Sequence, residues 1–390
     1  MKSHPRAGHY VQQLEGYRAF EPANLPPEPP LAIDNDLLAL LSAADTAIGR
    51  LDGLARTLPD AELFLAMYVR QEALLSSQIE GTECTMDDIL AFELLPEAGP
   101  NLDVGEVVNY VAALQRGVEL LKDLPLCNRL LREMHAVLLR SGRGSDKSPG
   151  EFRRTQNWIG PVGCTLASAS FVPPPRQVME TAMSALETFV HDSKLPVLVT
   201  AGLAHAQFET IHPFLDGNGR TGRMFVSLLL HEREVLTKPV LYLSTFLKRH
   251  QARYFDRLTA VRAEGAWEGW IRFFLEGVAE SALGATQTAA AIHQLRESDR
   301  STVLSGPGKP GKYDVVLLDA LFRQPLVNSA WVQRELGVTS PTANKALDGL
   351  CELGILRETT GAKRNRTYRY DAYLDLFETV TRVELDDTQH

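Results

Sequence analysis

From Asp34 onward the apolar residues of the chain recur at helical spacing. Leu37, Leu38, Leu41, Ala44, Ile48 and Leu51 fall three or four residues apart, and Leu63, Met67, Leu74 and Leu75 continue the pattern. Two helices follow from this, parted by Pro59 and Asp60, which start the second. The same period returns around 105–122, 126–140, 176–191, 196–211, 220–235 and 268–295. The expectation is a mainly α fold.

Three stretches break the pattern. Residues 1–30 are polar and close on Pro22, Pro26, Pro27, Pro29 and Pro30, which reads as an extended lead-in or packed-on arm rather than a domain. Residues 141–175 hold glycines, serines and the run Pro173-Pro174-Pro175, with a β-like segment near Asn157-Trp158-Ile159-Gly160. That predicts a small loop or hairpin inserted into a helical domain. Ser305 to Gly311 is a linker by composition. Gly306 to Lys312 also fits G-x-x-x-x-G-K formally, but Tyr313 follows, two prolines interrupt, and no strand precedes it.

Beyond the linker the character changes. Residues 313–336 predict two short helices and Ser340 to Leu353 a third, with Gly337 at the turn. Ile355 to Glu358 and Thr367 to Tyr370 read as strands around the basic run Lys363-Arg364-Asn365-Arg366. This is the layout of a winged helix-turn-helix.

Composition narrows the class. The chain has 390 residues, 23% of them charged and 44% hydrophobic, which is globular and allows two or three domains. A net charge of −9 argues against a chain coated in nucleic acid, although a local basic patch is compatible with it. Cys84, Cys127, Cys164 and Cys351 are scattered without a C-x-x-C pair, so neither a zinc site nor a disulfide framework is indicated. No run of about 18 apolar residues occurs, and the N-terminus lacks an apolar signal core. The expectation is a soluble cytoplasmic protein with no membrane partner.

The chemistry concentrates in His212-Pro213-Phe214-Leu215-Asp216-Gly217-Asn218-Gly219-Arg220-Thr221-Gly222-Arg223. Pro213 disfavours α conformation at His212, so a helix should end there and project the imidazole into a loop. Gly217-Asn218-Gly219 lets successive N–H groups turn inward as an anion nest, and a helix beginning near Arg220 adds its N-terminal dipole. Arg220 and Arg223 share one helix face and fork onto phosphate oxygens. Asp216 is the loop's carboxylate, and one carboxylate plus phosphate oxygens is how proteins hold Mg²⁺. His212 titrates in the range suited to taking a proton from a hydroxyl. Together these predict Mg²⁺-assisted transfer from a nucleotide to a hydroxyl, with His212 as base.

The string resembles the signature H-P-F-x-[DE]-G-N-G-R-x-x-R of the Fic (filamentation induced by cAMP) family, with every defining position present. The resemblance extends over most of the chain. It implies a helical core that transfers AMP from ATP to a Ser, Thr or Tyr hydroxyl of a protein and releases pyrophosphate. His212 would then deprotonate the hydroxyl and Asp216 would hold Mg²⁺. Gly217, Asn218 and Gly219 would bind phosphates with the help of Arg220, and Arg223 would take the γ-phosphate. Phe214 would anchor the loop in the core. Asn157 to Val172 looks like the family's β-hairpin flap, which aligns the target backbone.

A second motif, Ser76-Ser77-Gln78-Ile79-Glu80-Gly81, would by itself be an ordinary helix end with a C-cap glycine. Beside the first it resembles the family's inhibitory signature [ST]-x-x-x-E-[GN], with Ser76, Glu80 and Gly81 in register. Glu80 would pair with Arg223 and compete with the γ-phosphate. A charge-assisted pair of this kind is worth about 1.5–3 kcal/mol, or roughly tenfold to a hundredfold in occupancy. In some relatives the same glutamate helps a water remove AMP, so a de-AMPylating role stays open.

The expected division is an N-terminal helical region at 1–100, a Fic catalytic domain at 101–300, a linker at 301–312 and a winged helix at 313–378. That last unit carries eight basic and six acidic residues over 313–370, with Lys363, Arg364, Arg366 and Arg369 on the wing and Lys345 on the candidate recognition helix. So slight an excess leaves DNA and protein both open as its partner. The expected partners are a protein presenting a hydroxyl under the flap, the chain itself, and a second copy in a homodimer. The competing class is a DNA-binding regulator whose Fic module senses nucleotide, and transfer of phosphate or phosphocholine is a further alternative. His205, seven residues before His212, predicts a packed helix residue rather than a metal ligand.

Overall fold

The computed structural model describes residues 2–57, 61–95, 102–161, 163–306, 311–362 and 364–382. Pro59 and Asp60 between the first helices, Val162 of the expected flap, Pro307 to Pro310 of the linker and Lys363 of the wing lie outside them. The N-terminal arm is not simply extended: β1 (Gly8–Gln12) and β2 (Arg18–Pro22) pair antiparallel, with Tyr10 opposite Phe20. Phe20 is fully buried, and its N–H donates to Val172 O at 2.9 Å, so the hairpin extends the irregular insert.

The helical body then runs α1 (Asn35–Thr57), α2 (Ala61–Ile79), α3 (Met86–Leu94), α4 (Leu102–Leu120), α5 (Asn128–Leu138), α6 (Arg176–Asp192) and α7 (Val197–Ile211). It continues through α8 (Asn218–Glu232), α9 (Ser244–Arg249), α10 (Gln251–Glu264) and α11 (Trp267–Ser305). Helices α3, α9 and α10 are additional to those that the periodicity predicts. Helix α3 carries its own start signal: Asp88 N–H donates to Thr85 Oγ1 at 3.2 Å and Thr85 N–H to Asp88 Oδ2 at 2.8 Å.

Helix α7 is the centre of the molecule. Every residue from Leu198 to Ile211 is buried, the polar Thr200, His205, Gln207, Glu209 and Thr210 along with the apolar majority. It packs on α6, α8, α10 and α11, and Trp270 Nε1 donates to Gly202 O at 2.7 Å. Helix α1 lies along α11, with Leu37, Ala44, Ile48 and Leu51 facing inward. Truncating one of these leucines to alanine costs about 2–5 kcal/mol. Helix α2 packs on α4, α8 and α9, which carries its C-terminal end to the start of α8. Glu72 fixes α2 from within, accepting from Tyr110 Oη at 3.0 Å and from Ser244 N at 3.0 Å.

The tail contains α12 (Asp314–Leu321), β3 (Leu326–Asn328), α13 (Ser329–Leu336), α14 (Ser340–Glu352), β4 (Arg357–Glu358), β5 (Thr367–Arg369) and α15 (Asp371–Arg382). The strands form an antiparallel sheet in the order β3-β5-β4. Strand β3 is too short for alternation to announce it. Gly337 closes α13 in the left-handed conformation, with φ 61°. The tail is packed on the body: Gln324 Nε2 donates to Leu90 O at 3.3 Å, and Arg369 pairs with Asp87 at 3.2 Å. Helix α11 runs through residue 300, the expected end of the catalytic domain, so that boundary falls inside a continuous helix. Among the described residues no helix is long and apolar enough to cross a membrane.

Candidate active site

Helix α7 ends where Pro213 requires. His212 takes φ 50° and its N–H donates to Phe208 O at 2.9 Å. The chain then dips into the core: Phe214 is fully buried and stacks on His135 with ring centroids 3.7 Å apart. Asn218 clamps the loop, its Oδ1 accepting from Phe214 N–H at 2.8 Å and its Nδ2 donating to Phe214 O at 2.9 Å. Gly217 makes the entry to α8 at φ 75°, a conformation that favours glycine. The new helix starts at Asn218, two residues before Arg220, and its N-terminus has no side-chain cap. Uncapped N–H groups and the helix dipole make that end an anion site.

Asp216 faces the same space. Its Oδ1 accepts from Gly217 N–H at 2.6 Å and lies 3.6 Å from Arg220 Nη2, while the side chain is 32% exposed. Among the described residues no group of three or more His, Cys, Asp or Glu could hold a metal ion. A single half-open carboxylate therefore fits Mg²⁺ only where phosphate oxygens and water complete the shell.

The two arginines are held differently. Arg220 is fully buried: Nη1 donates to Glu106 Oε2 at 3.1 Å, while Nε and Nη2 have no hydrogen-bond partner. Unmet buried donors are costly, and phosphate oxygens would satisfy them. Arg223 is held along its Nε–Nη2 edge by the end of α2 and the turn that follows it. Its Nε donates to Ser76 Oγ at 2.8 Å, and Nη2 donates to Ser76 O at 2.9 Å and to Glu80 Oε1 at 2.8 Å. Burial works against ionisation of Glu80, but Arg223, Arg220 and His212 outweigh it and hold the carboxyl below its ordinary value.

The turn that presents Glu80 is itself fastened. Gly81 takes φ 91° just beyond α2. Lys248 Nζ donates to Gln78 O at 2.9 Å, Gln251 Nε2 to Ile79 O at 3.0 Å and Arg143 Nη2 to Glu80 O at 3.2 Å. Thr82 Oγ1 donates to Glu106 Oε2 at 3.1 Å, so the carboxylate that holds Arg220 also holds this turn.

His212 is largely enclosed, with Arg153 on one side and the carboxyls of Glu209 and Glu80 on the other. Burial, and then the charge of Arg153, push its imidazole down to about 4. It is therefore neutral at neutral pH and able to accept a proton. Its Nδ1 lies 3.4 Å from Glu209 O and 4.0 Å from Glu209 Oε2, which leaves Nε2 for the cleft. His205 is a packed residue, held between Gly222 O at 3.0 Å and Tyr254 Oη at 2.9 Å.

Several residues in this arrangement are absent from the sequence-based site. Arg153 Nε donates to His212 O at 3.0 Å, and Asn157 Nδ2 donates to His212 O at 3.2 Å and Phe214 O at 2.8 Å. Asn157, the first residue of the expected flap, thus belongs to the loop's support, while among the described residues the flap is closed by a bridge between Ile159 and Phe171. His135 Nδ1 accepts from Gly150 N–H at 2.9 Å, so its Nε2 carries the proton donated to Asp216 O at 2.9 Å. Glu106 and Glu209 complete the set.

A buried central helix that ends on a histidine, turns through Gly-Asn-Gly and re-enters as a helix bearing two buried arginines defines the Fic class of helical domain. Residues 38–119 match the Fic/DOC family N-terminal model and residues 125–230 the Fic/DOC family model; these two stretches belong to the Fic/DOC family. A protein adenylyltransferase Fic of Culex quinquefasciatus is 31% identical over 149 residues, covering 37% of this chain and 26% of that protein. The counterpart of Drosophila virilis is 30% identical over 164 residues, covering 41% and 29%. A probable protein adenylyltransferase of Aquifex aeolicus is 24% identical over 176 residues, covering 45% and 52%. The chain thus matches about a quarter to a half of the length of these relatives.

Solved structures agree on the fold. A Fic family protein from Desulfovibrio desulfuricans superposes with a TM-score of 0.57 at 21% identity, covering 88% of this chain and 98% of that one. A Fic domain containing signaling protein from Bacteroides thetaiotaomicron gives 0.52 at 18% identity, covering 64% and 97%.

Proposed function

We propose that this protein is a protein adenylyltransferase, moving AMP from ATP to a hydroxyl side chain of a target protein, and that Glu80 holds it off at rest. The observation that carries this reading is the Arg223–Glu80 pair at 2.8 Å, set one helical turn from an uncapped α8 N-terminus and beside His212. An arginine whose Nε–Nη2 edge is held by its own chain cannot turn that edge onto a phosphate.

In the proposed reaction a target hydroxyl gives its proton to His212 Nε2 and its oxygen bonds the α-phosphorus, while pyrophosphate leaves with the electron pair of the broken P–O bond. The N–H groups at Asn218 and Gly219 and the free donors of Arg220 bind phosphate oxygens, Gly217 N–H being taken by Asp216 Oδ1 at 2.6 Å, and Arg223 takes the terminal phosphate once Glu80 withdraws. Asp216 would hold Mg²⁺, which neutralises phosphate charge when bound. Asn218 contributes through its backbone, because its side chain is committed to Phe214.

The tail we read as a winged helix at 313–378; residues 301–305, expected to open the linker, are the last turn of α11, so the linker begins after Ser305. Two of the tail's wing cations favour a role within the protein over DNA: Arg366 pairs with Asp348 at 3.1 Å and Arg369 with Asp87 at 3.2 Å. Asp87 lies in the first turn of α3, shortly after the turn that presents Glu80.

The test is intact mass and radiolabel after incubation with ATP and Mg²⁺. Glu80→Gly is expected to acquire an AMP adduct readily, the unaltered protein far less, and Glu80→Gly with His212→Ala none. Equal labelling of the unaltered protein and Glu80→Gly would reject the brake. An adduct that survives loss of His212 would reject the mechanism.

A further inference from the structure

Glu209 has no place in the mechanism above, yet it is buried against His212. The two are three residues apart at the end of α7 and share a face. Glu209 is 8% exposed, Oε1 has no hydrogen-bond partner, and Oε2 lies 4.0 Å from His212 Nδ1. Its room is tight, since a Cβ added at Gly222 would stand 2.7 Å from Oε1. A buried carboxylate with an unpaired oxygen costs stability, and a fold retains one where it serves something else. His205 does not serve it, because both ring nitrogens are engaged elsewhere.

We propose that Glu209 is the positioning residue of His212: its carboxylate orients the Nδ1–H and stabilises the imidazolium formed when Nε2 takes the target's proton. This rests on the transferase reading. The reaction's bonds are those given above; Glu209 gains and loses no atom, and the proton leaves His212 afterwards to pyrophosphate or solvent.

The case is electrostatic. The hydrogen bond available to Nδ1 at rest is a 3.4 Å contact with the neutral Glu209 O, whereas charge-assisted bonds to carboxylates are shorter and stronger. Burial and Arg153 disfavour imidazolium, and Glu80 is a carboxylate that opposes them. Glu80 must withdraw for the terminal phosphate to reach Arg223. Glu209 is then the carboxylate left beside His212. The groups that face Glu209 are His212 from its own helix end, Arg223 from α8, Tyr254 and Arg262 from α10, Glu80 from the turn after α2, and Tyr10 and Lys2 of the N-terminal arm, which line the same cavity. Burial raises its carboxyl to about 7, with Arg223 and Arg262 opposing and Glu80 adding.

The experiment uses Glu80→Gly protein and measures incorporation of radiolabelled AMP from saturating ATP between about pH 5.5 and 9, a span that brackets a histidine and a raised carboxyl. In this background the rate is expected to rise with pH as Glu209 ionises. Adding Glu209→Gln should lower the plateau about ten- to a hundredfold, remove that limb, and leave the ATP dependence nearly unchanged. Glu209→Asp should keep the limb. Thermal melting of the Gln variant should be no lower than that of its parent, because an unmet buried charge has been removed. A Gln variant with the parent's profile, or a lower rate with the same limb, would overturn the proposal. Incorporation by the parent with no effect at Glu209 overturns this role alone; no incorporation by the parent overturns the transferase reading and this role with it.

Discussion

Glu80 Oε1 occupies the space that a side chain on Gly219 would need: a Cβ added there would stand 2.1 Å from it. The carboxylate therefore presses on the first turn of α8 while it pairs with Arg223 at 2.8 Å. Two effects hold it, an ion pair and the positive end of a helix dipole. Both depend on its charge more than its shape.

Glu80→Gln should accordingly release only part of the brake. The amide oxygen can still accept from Arg223 Nη2, but the charge is gone from both contacts. Labelling with ATP is expected to fall between the unaltered protein and Glu80→Gly. Ser76→Ala, which removes the acceptor of Arg223 Nε and keeps the Ser76 carbonyl, should raise labelling less than either. A Gln variant as active as Glu80→Gly would mean that the oxygen's position contributes nothing.

Arg153 should matter as much as a residue that touches substrate. It is 1% exposed, and its Nε holds the carbonyl of His212 at 3.0 Å. Arg153→Ala in the Glu80→Gly background is expected to slow labelling at least about tenfold, since small misplacements of a reacting group carry large rate penalties. The ATP concentration for half-maximal rate should barely move. Lysine should rescue poorly, because a single ammonium cannot reproduce the planar fork. A rise in half-saturating ATP with an unchanged maximal rate would place Arg153 with the nucleotide instead.

How far the sequence could be read follows from what each residue bonds to. Pro213, Gly217 and the two arginines act through backbone restriction, left-handed geometry or charge, and these leave marks in residue type and spacing. Glu80 could be matched to Arg223 only through its resemblance to a motif, because nothing local joins two residues 143 positions apart. Arg153 and Asn157 were hidden for another reason. Their partners are backbone carbonyls of His212, Pro174 and Phe214, which have no residue-type signature, and both lie in the insert where periodicity is lost. His135 read as one more position on an amphipathic helix. The β1–β2 hairpin was obscured by its brevity, five residues a strand amid prolines. A break at His250 divides the pattern of α9 and α10, which leaves no single helical run to read.

Asn218 is expected to be a structural residue of the loop first and a phosphate neighbour second. Asn218→Ala leaves Phe214 N–H buried and unpaired, at about 1–3 kcal/mol, while Phe214 O keeps the bond from Asn157 Nδ2 at 2.8 Å. Thermal unfolding should therefore drop along with labelling. Asn218→Asp keeps the acceptor for Phe214 N–H but turns a carboxylate oxygen toward Phe214 O, and should be no better than alanine. Full stability with lost activity in either variant would show that the clamp contributes little and the phosphate contact nearly everything.

Acid should loosen the site through His135 before it touches the Glu80–Arg223 pair. Burial pushes His135 down to about 4, against roughly 6.5 in an unfolded chain. The folded state keeps the ring neutral, with Nδ1 accepting from Gly150 N–H, so protonation favours unfolding. Its contribution is complete above the unfolded value and declines as the pH falls from about 6.5 toward 4, by up to about 3 kcal/mol. Glu80 behaves oppositely in origin: its carboxyl is held low, so the pair with Arg223 persists until the pH falls below the ordinary carboxylate range. Urea unfolding at pH 7.5 and 4.5 separates these contributions. His135→Gln should be less stable than the unaltered protein at the higher pH, and most of that gap should close at the lower one. Parallel losses in the two proteins would mean that the acid sensitivity resides elsewhere, with buried His205, also held near 4, as the next residue to substitute.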